Sequence, residues 1–158
     1  MGPLVTDEQF KKVSGYIESG KSEGGEIIAG GNYDNSSGGH FVHPTVFAKT
    51  DKDMSIVKEE IFGPVLCAQP FSDQDLDKIA EVANNTTFGL AASVWSQNIS
   101  TAHKLAAKIR AGTVWVNCHN IFDASLPFGG YKESGWGREM GHEVLKNYTE
   151  LKAVTVNL

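Results

Sequence analysis

Two adjacent carboxylates and an aromatic residue stand directly before an apolar run, in the segment Glu59-Glu60-Ile61-Phe62-Gly63-Pro64-Val65. A carboxylate accepts hydrogen bonds from a vicinal diol such as that of a ribose, and an aromatic ring packs against a flat ring. The segment therefore predicts a site for a ligand that carries both groups. On the residues alone the alternative, a solvated charged pair without a ligand, stays open.

A second candidate site lies in an irregular stretch, residues 117–137, where Phe122, Phe128, Tyr131 and Trp136 stand among glycines. Aromatic side chains on such a loop either line an apolar pocket or hold the loop in place. The stretch follows a predicted strand, and α/β proteins place their sites at the carboxyl ends of parallel strands.

Neither cysteine has the surroundings of a nucleophile. Cys67 lies in the apolar run Val65-Leu66-Cys67-Ala68, where burial is expected to raise the pKa of the thiol. Cys118 is next to His119, but adjacent residues of an extended chain point to opposite sides, so the two side chains are not expected to pair. Two cysteines also make no disulfide framework.

The five histidines show no metal-ligand spacing with a supporting carboxylate or thiol, so no metal site is predicted. Gly135, Gly137 and Gly141 could be mistaken for a dinucleotide fingerprint. That fingerprint requires a strand immediately before it, and none is predicted there, so these glycines are interpreted as turn and packing positions.

The elements that must position these residues begin with a helix. Thr6-Asp7-Glu8-Gln9 fits a capping box, in which the hydroxyl and the amide side chain satisfy each other's backbone N–H groups. Phe10, Val13 and Ile17 then recur at helical spacing, and Gly20 is the first stop signal. After a short strand at 27–29, the Gly-, Asn- and Ser-rich residues 30–39 are predicted to be a solvated turn.

The middle of the chain alternates strand, helix, strand, helix and strand. Strands are predicted at 65–71, 90–95 and 113–116, and helices follow a cap at 72–75 and start again near residue 100, the second ending at Gly112. Nearly continuous apolar strands of this kind predict an α/β fold with a mainly parallel sheet flanked by helices. A short helix near 139–148 and a final β-like run, 151–158, follow.

Composition sets limits on function. The 158 residues suggest one domain or a piece of a larger one, and the net charge of −5, from 14 basic and 19 acidic residues, excludes the basic surface of a nucleic-acid-binding protein. The longest apolar runs are too short to span a bilayer, and no signal peptide is recognised. We therefore expect a cytoplasmic protein with neither nucleic acid nor membrane as partner.

Several motifs closely resemble the carboxyl-terminal third of the NAD(P)-dependent aldehyde dehydrogenase superfamily. They are Glu59-Glu60-Ile61-Phe62-Gly63-Pro64, Trp115-Val116-Asn117, Pro127-Phe128-Gly129-Gly130-Tyr131-Lys132, Ser134-Gly135 and Gly137-Arg138-Glu139. The resemblance extends over essentially the whole chain. It implies an enzyme in which a cysteine thiolate attacks an aldehyde, hydride passes to NAD(P)+, and water activated by a glutamate hydrolyses the thioester to the acid.

The resemblance also implies roles for particular residues. Glu60 matches the glutamate that holds the nicotinamide-ribose hydroxyls, and Phe62 matches the aromatic residue beside the nicotinamide. Asn117, Phe122 and Phe128 match positions at or near the aldehyde pocket. NAD is the expected cofactor, with NADP as the alternative.

The resemblance divides the chain into residues 1–148, part of the catalytic domain, and residues 149–158, an oligomerisation arm. Within the arm, 151–158 is expected to join the sheet of a neighbouring subunit, which implies a homo-oligomer. Residues 121–126 have some likeness to enzymes that act on aryl-acetaldehydes.

The family's nucleophilic cysteine, general-base glutamate and Rossmann domain correspond to sequence before Gly2, so no catalytic residue is assigned here. The chain alone is expected to be inactive, to expose apolar surface and to self-associate. It would then be a truncated form, one product of a split gene or the product of a decayed gene. The alternatives are a non-enzymatic fragment that associates with full-length subunits through its arm, and an independent small-molecule binder.

Overall fold

The computed structural model describes residues 1–36, 38–72 and 75–158, and the chain divides into two compact units, Met1–Asp73 and Gln74–Leu158. Both units combine helices with short strands, so the predicted α/β class is confirmed. No helix in the described ranges has the length and apolar character needed to cross a membrane.

The first unit contains, in chain order, α1 (Asp7–Ser22), β1 (Glu26–Ala29), β2 (Tyr33–Asp34), β3 (Phe41–Val42), β4 (Thr45–Ala48), α2 (Ser55–Lys58) and β5 (Val65–Cys67). β4 is the central strand of a three-stranded sheet, antiparallel to β1 and parallel to β5. β2 and β3 form a separate antiparallel pair. Ile27, Phe47 and Cys67 are in register across the sheet, and this row faces the core.

Helix α1 begins at a capping threonine and buries one face. Thr6 Oγ1 accepts a hydrogen bond from the backbone N–H of Gln9 at 3.1 Å, which satisfies one of the unpaired donors of the first turn. Phe10, Val13 and Ile17 are buried, as their spacing predicts. They form one core with Val42, Phe47, Ile56 and Ile61.

The predicted capping box is only half formed. The side-chain amide of Gln9 does not return to the start of the helix but donates to the backbone carbonyls of Phe62 at 2.6 Å and Ile61 at 3.3 Å. The sequence pattern could not anticipate this, because the competing carbonyls lie more than fifty residues further along the chain.

The second unit contains α3 (Leu76–Asn84), β6 (Phe88–Gly89), β7 (Ala91–Val94), α4 (Ile99–Lys108), β8 (Thr113–Val116), β9 (Tyr131–Lys132) and a 3-10 helix (His142–Asn147). β7 is parallel to β8, and β6 is antiparallel to β9. Asp75 caps α3 by accepting hydrogen bonds from two backbone N–H groups, and Asn98 caps α4 in the same way from one. Asp73 and Gln74, which belong to the predicted cap, lie outside the described residues.

Gly112 has a different role from the predicted one. Helix α4 ends at Lys108, and a Cβ atom at Gly112 would lie 1.6 Å from the carbonyl oxygen of Gly129. The residue is glycine because two backbone segments meet there, and any side chain would prevent the approach.

The mainly parallel sheet that the sequence predicts is not confirmed, because the described strands pair in both directions. Within the described ranges, β4–β5 and β7–β8 are parallel, whereas β1–β4, β2–β3 and β6–β9 are antiparallel. An apolar run indicates burial but not direction, and short connections such as the one between β2 and β3 leave no room for the crossover helix that a parallel pair needs.

Three segments differ locally from their predictions. The strand predicted at 65–71 ends at Cys67, and the turn predicted at 30–39 contains β2, although Ser37 within it lies outside the described residues. The helix predicted near 139–148 is the 3-10 helix. Residues 151–158 are exposed and pair with no strand within the described residues, so the predicted β-like run is not paired there.

Two glycines of helix α1 provide a matched pair for testing the core. A Cβ atom at the exposed Gly15 would have no atom within 4 Å, whereas a Cβ at Gly20 would lie 2.8 Å from Ile56 Cδ1 and 2.9 Å from Phe47 Cζ. We expect Gly15→Ala to raise the free energy of unfolding by about 0.5–1 kcal/mol through helix propensity. We expect Gly20→Ala to lower it by about 1–3 kcal/mol through overpacking.

Urea unfolding of the two variants and the parent chain measures both effects. Equal stability of the two variants would contradict the packing of α1 on Phe47 and Ile56.

Candidate functional site

The carboxylate-aromatic segment, Glu59–Phe62, begins where helix α2 ends. The backbone N–H of Glu59 donates to the carbonyl of Ser55 at 2.9 Å, and the backbone of Glu59 itself is extended. Ile61 is buried in the core, whereas Glu59, Glu60 and Phe62 are exposed. A buried residue between exposed neighbours thus anchors the segment and leaves the flanking side chains in solvent.

Phe62 has a backbone conformation that is unusual for an aromatic residue. Its φ of +53° lies in the left-handed region, which costs a residue with a side chain roughly 1–2 kcal/mol. The Gln9 amide offsets this cost by donating to the carbonyls of Phe62 and Ile61. Gly63 lets the chain pass close to α1, because a Cβ there would lie 2.5 Å from Val13 Cγ2. The Phe62 ring is left 74% exposed.

The two adjacent carboxylates differ in their contacts. Tyr16 Oη donates to Glu59 Oε2 at 2.6 Å, and this hydrogen bond raises the pKa of the Tyr16 phenol. The Glu60 carboxylate has no hydrogen bond or ion pair within residues 1–36, 38–72 and 75–158. Lys12 Nζ lies 5.9 Å from the ring centroid of Phe62 and equally far from that of Tyr16.

The start of α2 is also attached to helix α1. Glu23, the residue that ends α1, accepts hydrogen bonds from the backbone N–H of Ser55 at 2.9 Å and from its hydroxyl at 2.6 Å. Hydrogen bonds from Ser19 and Ser55 lower the pKa of Glu23, so it is an anion at neutral pH. Both ends of the chain from α2 to Phe62 are therefore attached to α1.

This arrangement suits a ligand with a flat ring and neighbouring hydroxyls. Glu60 offers acceptor oxygens that no other described group engages, and Phe62 offers an exposed ring face. The first unit thus brings the two predicted cofactor-binding residues together on one rigidly attached segment.

The aromatic residues of the second unit form a row of edge-on contacts, here called the aromatic row: Trp115, His119, Phe122 and Phe128. The ring centroids are 5.3 Å apart between Trp115 and His119, 5.7 Å between Trp115 and Phe122, and 5.0 Å between Phe122 and Phe128. Each such pair contributes about 0.5–1.5 kcal/mol beyond its buried area. Trp115 is fixed further because its indole N–H donates to the carbonyl of Ile121 at 2.7 Å.

Asn117 uses its amide to hold the backbone. Its Oδ1 accepts from the N–H of Ser96 at 2.9 Å, and its Nδ2 donates to the carbonyl of Ser96 at 3.0 Å. With its own N–H donating to Val94, this residue extends the pairing of β7 and β8 by one step. Both polar atoms of the side chain are thus engaged, so its contribution to a pocket acts through the loop that it supports.

The cysteines have the surroundings of structural residues. Cys67 is half-buried, burial raises the pKa of its thiol as predicted, and its Sγ donates to the carbonyl of Ile56 at 3.3 Å. His119, the neighbour of Cys118, is engaged through Nδ1 with Ser93 Oγ at 2.7 Å. In the described part of the chain, no three His, Cys, Asp or Glu side chains are grouped so that they could hold a metal ion.

The indole hydrogen bond of Trp115 can be tested directly. The chain has three tryptophans, and Trp95 and Trp136 are 67% and 95% exposed, so only the Trp115 indole N–H is expected to exchange slowly with solvent in NMR spectra. We expect Trp115→Phe to lower the free energy of unfolding by about 1–3 kcal/mol, because the hydrogen bond and part of the packing of the half-buried indole are lost.

In the Trp115→Phe variant the NMR signals of Phe122 should also shift. The control Trp136→Phe should change neither the free energy of unfolding nor the Phe122 signals. Three indole protons with the same fast exchange would contradict the structure.

Sequence reasoning missed the contribution of helix α1 to the first site. Gln9, Lys12 and Tyr16 all contact the Glu59–Phe62 segment. Their spacing of three, then four residues places them on one face of the helix, so the polar stripe itself was readable in the sequence. The segment that this stripe contacts could not be read from the sequence, because it is distant in the chain.

Comparisons with known proteins identify a family and similar structures. The model of the aldehyde dehydrogenase family matches residues 1–154. The aldehyde dehydrogenase of Agaricus bisporus is 49% identical over 157 residues. An NAD+ complex of aldehyde dehydrogenase from Bacillus cereus superposes with a TM-score of 0.93 at 53% identity, covering 100% of this chain and 32% of that one.

A third relative is named for the aldehyde on which it acts. The P. syringae indole-3-acetaldehyde dehydrogenase, solved in complex with NAD+ and IAA, superposes with a TM-score of 0.93 at 41% identity. The match covers 99% of this chain and 31% of that structure. The chain likewise spans 31% of the length of the Agaricus protein. Since a family model matches nearly every residue, the chain belongs to the aldehyde dehydrogenase family.

Proposed function

We propose that the chain is the carboxyl-terminal third of an NAD(P)-dependent aldehyde dehydrogenase that oxidises an aldehyde to a carboxylic acid. Membership of the family supports the reaction class, and the NAD+ complex of the Bacillus cereus relative supports NAD as the cofactor. The observation that carries the proposal is the partner-free carboxylate of Glu60, among the described residues, beside the exposed ring of Phe62 in a chain of this family.

Glu60 and Phe62 are the residues proposed to hold the cofactor. The Glu60 oxygens would accept hydrogen bonds from the two hydroxyls of the nicotinamide ribose, and the Phe62 ring would pack beside the nicotinamide. The exposure of both side chains fits this assignment. The nicotinamide ring supplies the hydride acceptor when bound, and the task of this segment is to hold that ring in one orientation.

Phe122 and Phe128 are proposed to line the aldehyde pocket, with Asn117 supporting the loop that carries them. Their edge-on contact at 5.0 Å forms a rigid apolar surface suited to a flat or apolar side chain. The P. syringae relative, named for indole-3-acetaldehyde, supports an aryl-acetaldehyde as the substrate class.

The catalytic nucleophile is proposed to come from sequence other than these 158 residues. Cys67 donates its thiol to a backbone carbonyl and has a raised pKa, so it is protonated at neutral pH. Cys118 has no cation or base among the contacts of the described residues. The 158 residues alone are therefore proposed to be inactive.

Residues 151–158 are proposed to be an arm that joins the sheet of another subunit, as part of a homo-oligomer. Leu151, Val154, Val156 and Leu158 are all more than 70% exposed, and the segment has no strand partner in the described chain. An extended apolar segment of this kind gains both main-chain hydrogen bonds and burial by adding to a sheet edge.

The cofactor assignment is tested with nicotinamide mononucleotide, which carries the ribose hydroxyls and the ring without the adenosine half. We expect Glu60→Gln to weaken its binding to the chain by about tenfold, the effect of one hydrogen bond to a charged group. Glu81→Gln is the matched control, because that carboxylate is also exposed but lies on α3. NMR titration gives both affinities, and equal affinity of the Glu60→Gln variant and the parent, or no binding by the parent, would contradict the assignment.

The proposed place in a longer enzyme is tested in the source cells. An antibody against this segment should detect a polypeptide about three times as long, since the chain spans 31% of its relatives' length. A band corresponding to 158 residues alone would instead favour a non-enzymatic fragment that associates with full-length subunits through residues 151–158.

A further inference from the structure

The polar face of helix α1 follows the chain from α2 to Phe62 along its whole length. Gln9 contacts the end of that chain, Tyr16 contacts its middle at Glu59, and Glu23 contacts its start at Ser55. The contacts occur in reverse order along the two segments, as in an antiparallel pair. A single helix therefore holds the residues on both sides of Glu60, which is proposed to meet the ribose.

Within this contact, Tyr16 binds one of two adjacent glutamates and not the other. Glu59 and Glu60 are adjacent, both exposed and chemically identical. Tyr16 Oη lies 2.6 Å from Glu59 Oε2, and no such partner exists for Glu60 among the described residues. The phenol thus occupies one carboxylate and leaves the other available.

We propose that Tyr16 is a positioning residue that makes Glu60, and not Glu59, the carboxylate presented to the ligand. The inference rests on the proposed function, in which Glu60 accepts hydrogen bonds from the ribose hydroxyls. Tyr16 itself touches neither ribose nor nicotinamide in this proposal, because its hydroxyl is already donated to Glu59.

The expected consequence of losing the phenol hydroxyl follows from the charges nearby. The ammonium of Lys12 lies 5.9 Å from the rings of both Tyr16 and Phe62. A Glu59 carboxylate without its donor would be open to this ammonium or to a ligand, because opposite charges near a surface attract. Either Lys12 would leave the Phe62 ring to pair with Glu59, or the unpaired Glu59 would compete with Glu60 for a diol.

The hydrogen bond persists at all physiological pH values. Donation to Glu59 is the main cause that raises the pKa of Tyr16, so the phenol keeps its proton beyond its ordinary value of about 10. A group whose pKa is raised by folding stabilises the fold below that ordinary value, and the contribution is lost as the pH rises through the raised pKa. The positioning contact is therefore constant near neutrality and lost only in strong alkali.

The inference is tested without any ligand by comparing Tyr16→Phe with Glu59→Gln in the full 158-residue chain. Tyr16→Phe keeps the ring and removes the donor, whereas Glu59→Gln keeps an acceptor oxygen and so retains the hydrogen bond. We expect the backbone amide signals of Glu60 and Phe62 in NMR spectra to shift and broaden in Tyr16→Phe and to stay close to those of the parent in Glu59→Gln. Unchanged signals in Tyr16→Phe, or equal changes in both variants, would overturn the inference.

A difference titration of phenolate absorbance, parent minus Tyr16→Phe, isolates Tyr16 from the other tyrosines. Its midpoint should lie above that of an ordinary tyrosine and should fall in a Glu59→Ala variant. A midpoint that is ordinary in the parent, or unmoved by Glu59→Ala, would contradict the contact on which the inference stands.

Binding of nicotinamide mononucleotide separates this inference from the proposed function. We expect Tyr16→Phe to weaken binding by about threefold to tenfold, and Glu59→Gln to leave it within about twofold of the parent. If Glu60→Gln weakens binding but Tyr16→Phe does not, the positioning role is wrong and the cofactor assignment stands. If Tyr16→Phe shifts the Glu60 and Phe62 signals while Glu60→Gln leaves binding unchanged, the cofactor assignment is wrong, and with it the purpose that the inference gives to Tyr16.

Discussion

The contact of helix α1 with the chain from α2 to Gly63 is the interaction on which the first unit depends. The helix has two working faces. Its apolar residues Val13 and Ile17 are completely buried against Phe47, and its polar residues hold the backbone that carries the exposed carboxylates and the Phe62 ring. Because both faces belong to one rigid element, the packing of the core and the geometry of the candidate site cannot be adjusted independently.

The two units share a structural feature, a positive φ angle close to a side-chain amide that bonds to the backbone. Phe62 and Asn117 both have positive φ angles, +53° at the end of the Glu59–Phe62 segment and +54° directly after β8. Each is secured by a carboxamide that hydrogen-bonds to backbone atoms: the Gln9 amide for Phe62, and the residue's own amide for Asn117. An amide suits this task because it is both donor and acceptor and carries no charge that changes with pH.

Local signals in the sequence predicted local structure well. The capping threonine, the periodic apolar residues of α1 and the strand at 113–116 are where the sequence places them, because each depends on neighbours within a few residues. Strand direction, the destination of the Gln9 amide and the close approach of Gly112 to Gly129 were not predictable. Each of these depends on a segment brought close only by folding. The candidate site residues were found through motifs, whereas the contact of the predicted helix α1 with Glu59–Phe62 was found only in the structure.

The segment 151–158 has a thermodynamic consequence of its own. Its side chains are exposed, and it takes part in no strand pairing within the described chain, so its sequence contributes little to the free energy that holds either unit together. Any hydrogen bonds and burial that it gains on another molecule would therefore count almost wholly toward association, diminished only by the entropy of ordering about eight residues. Mutation could then tune the strength of assembly over a wide range without altering the fold, a separation that the residues of α1 do not permit.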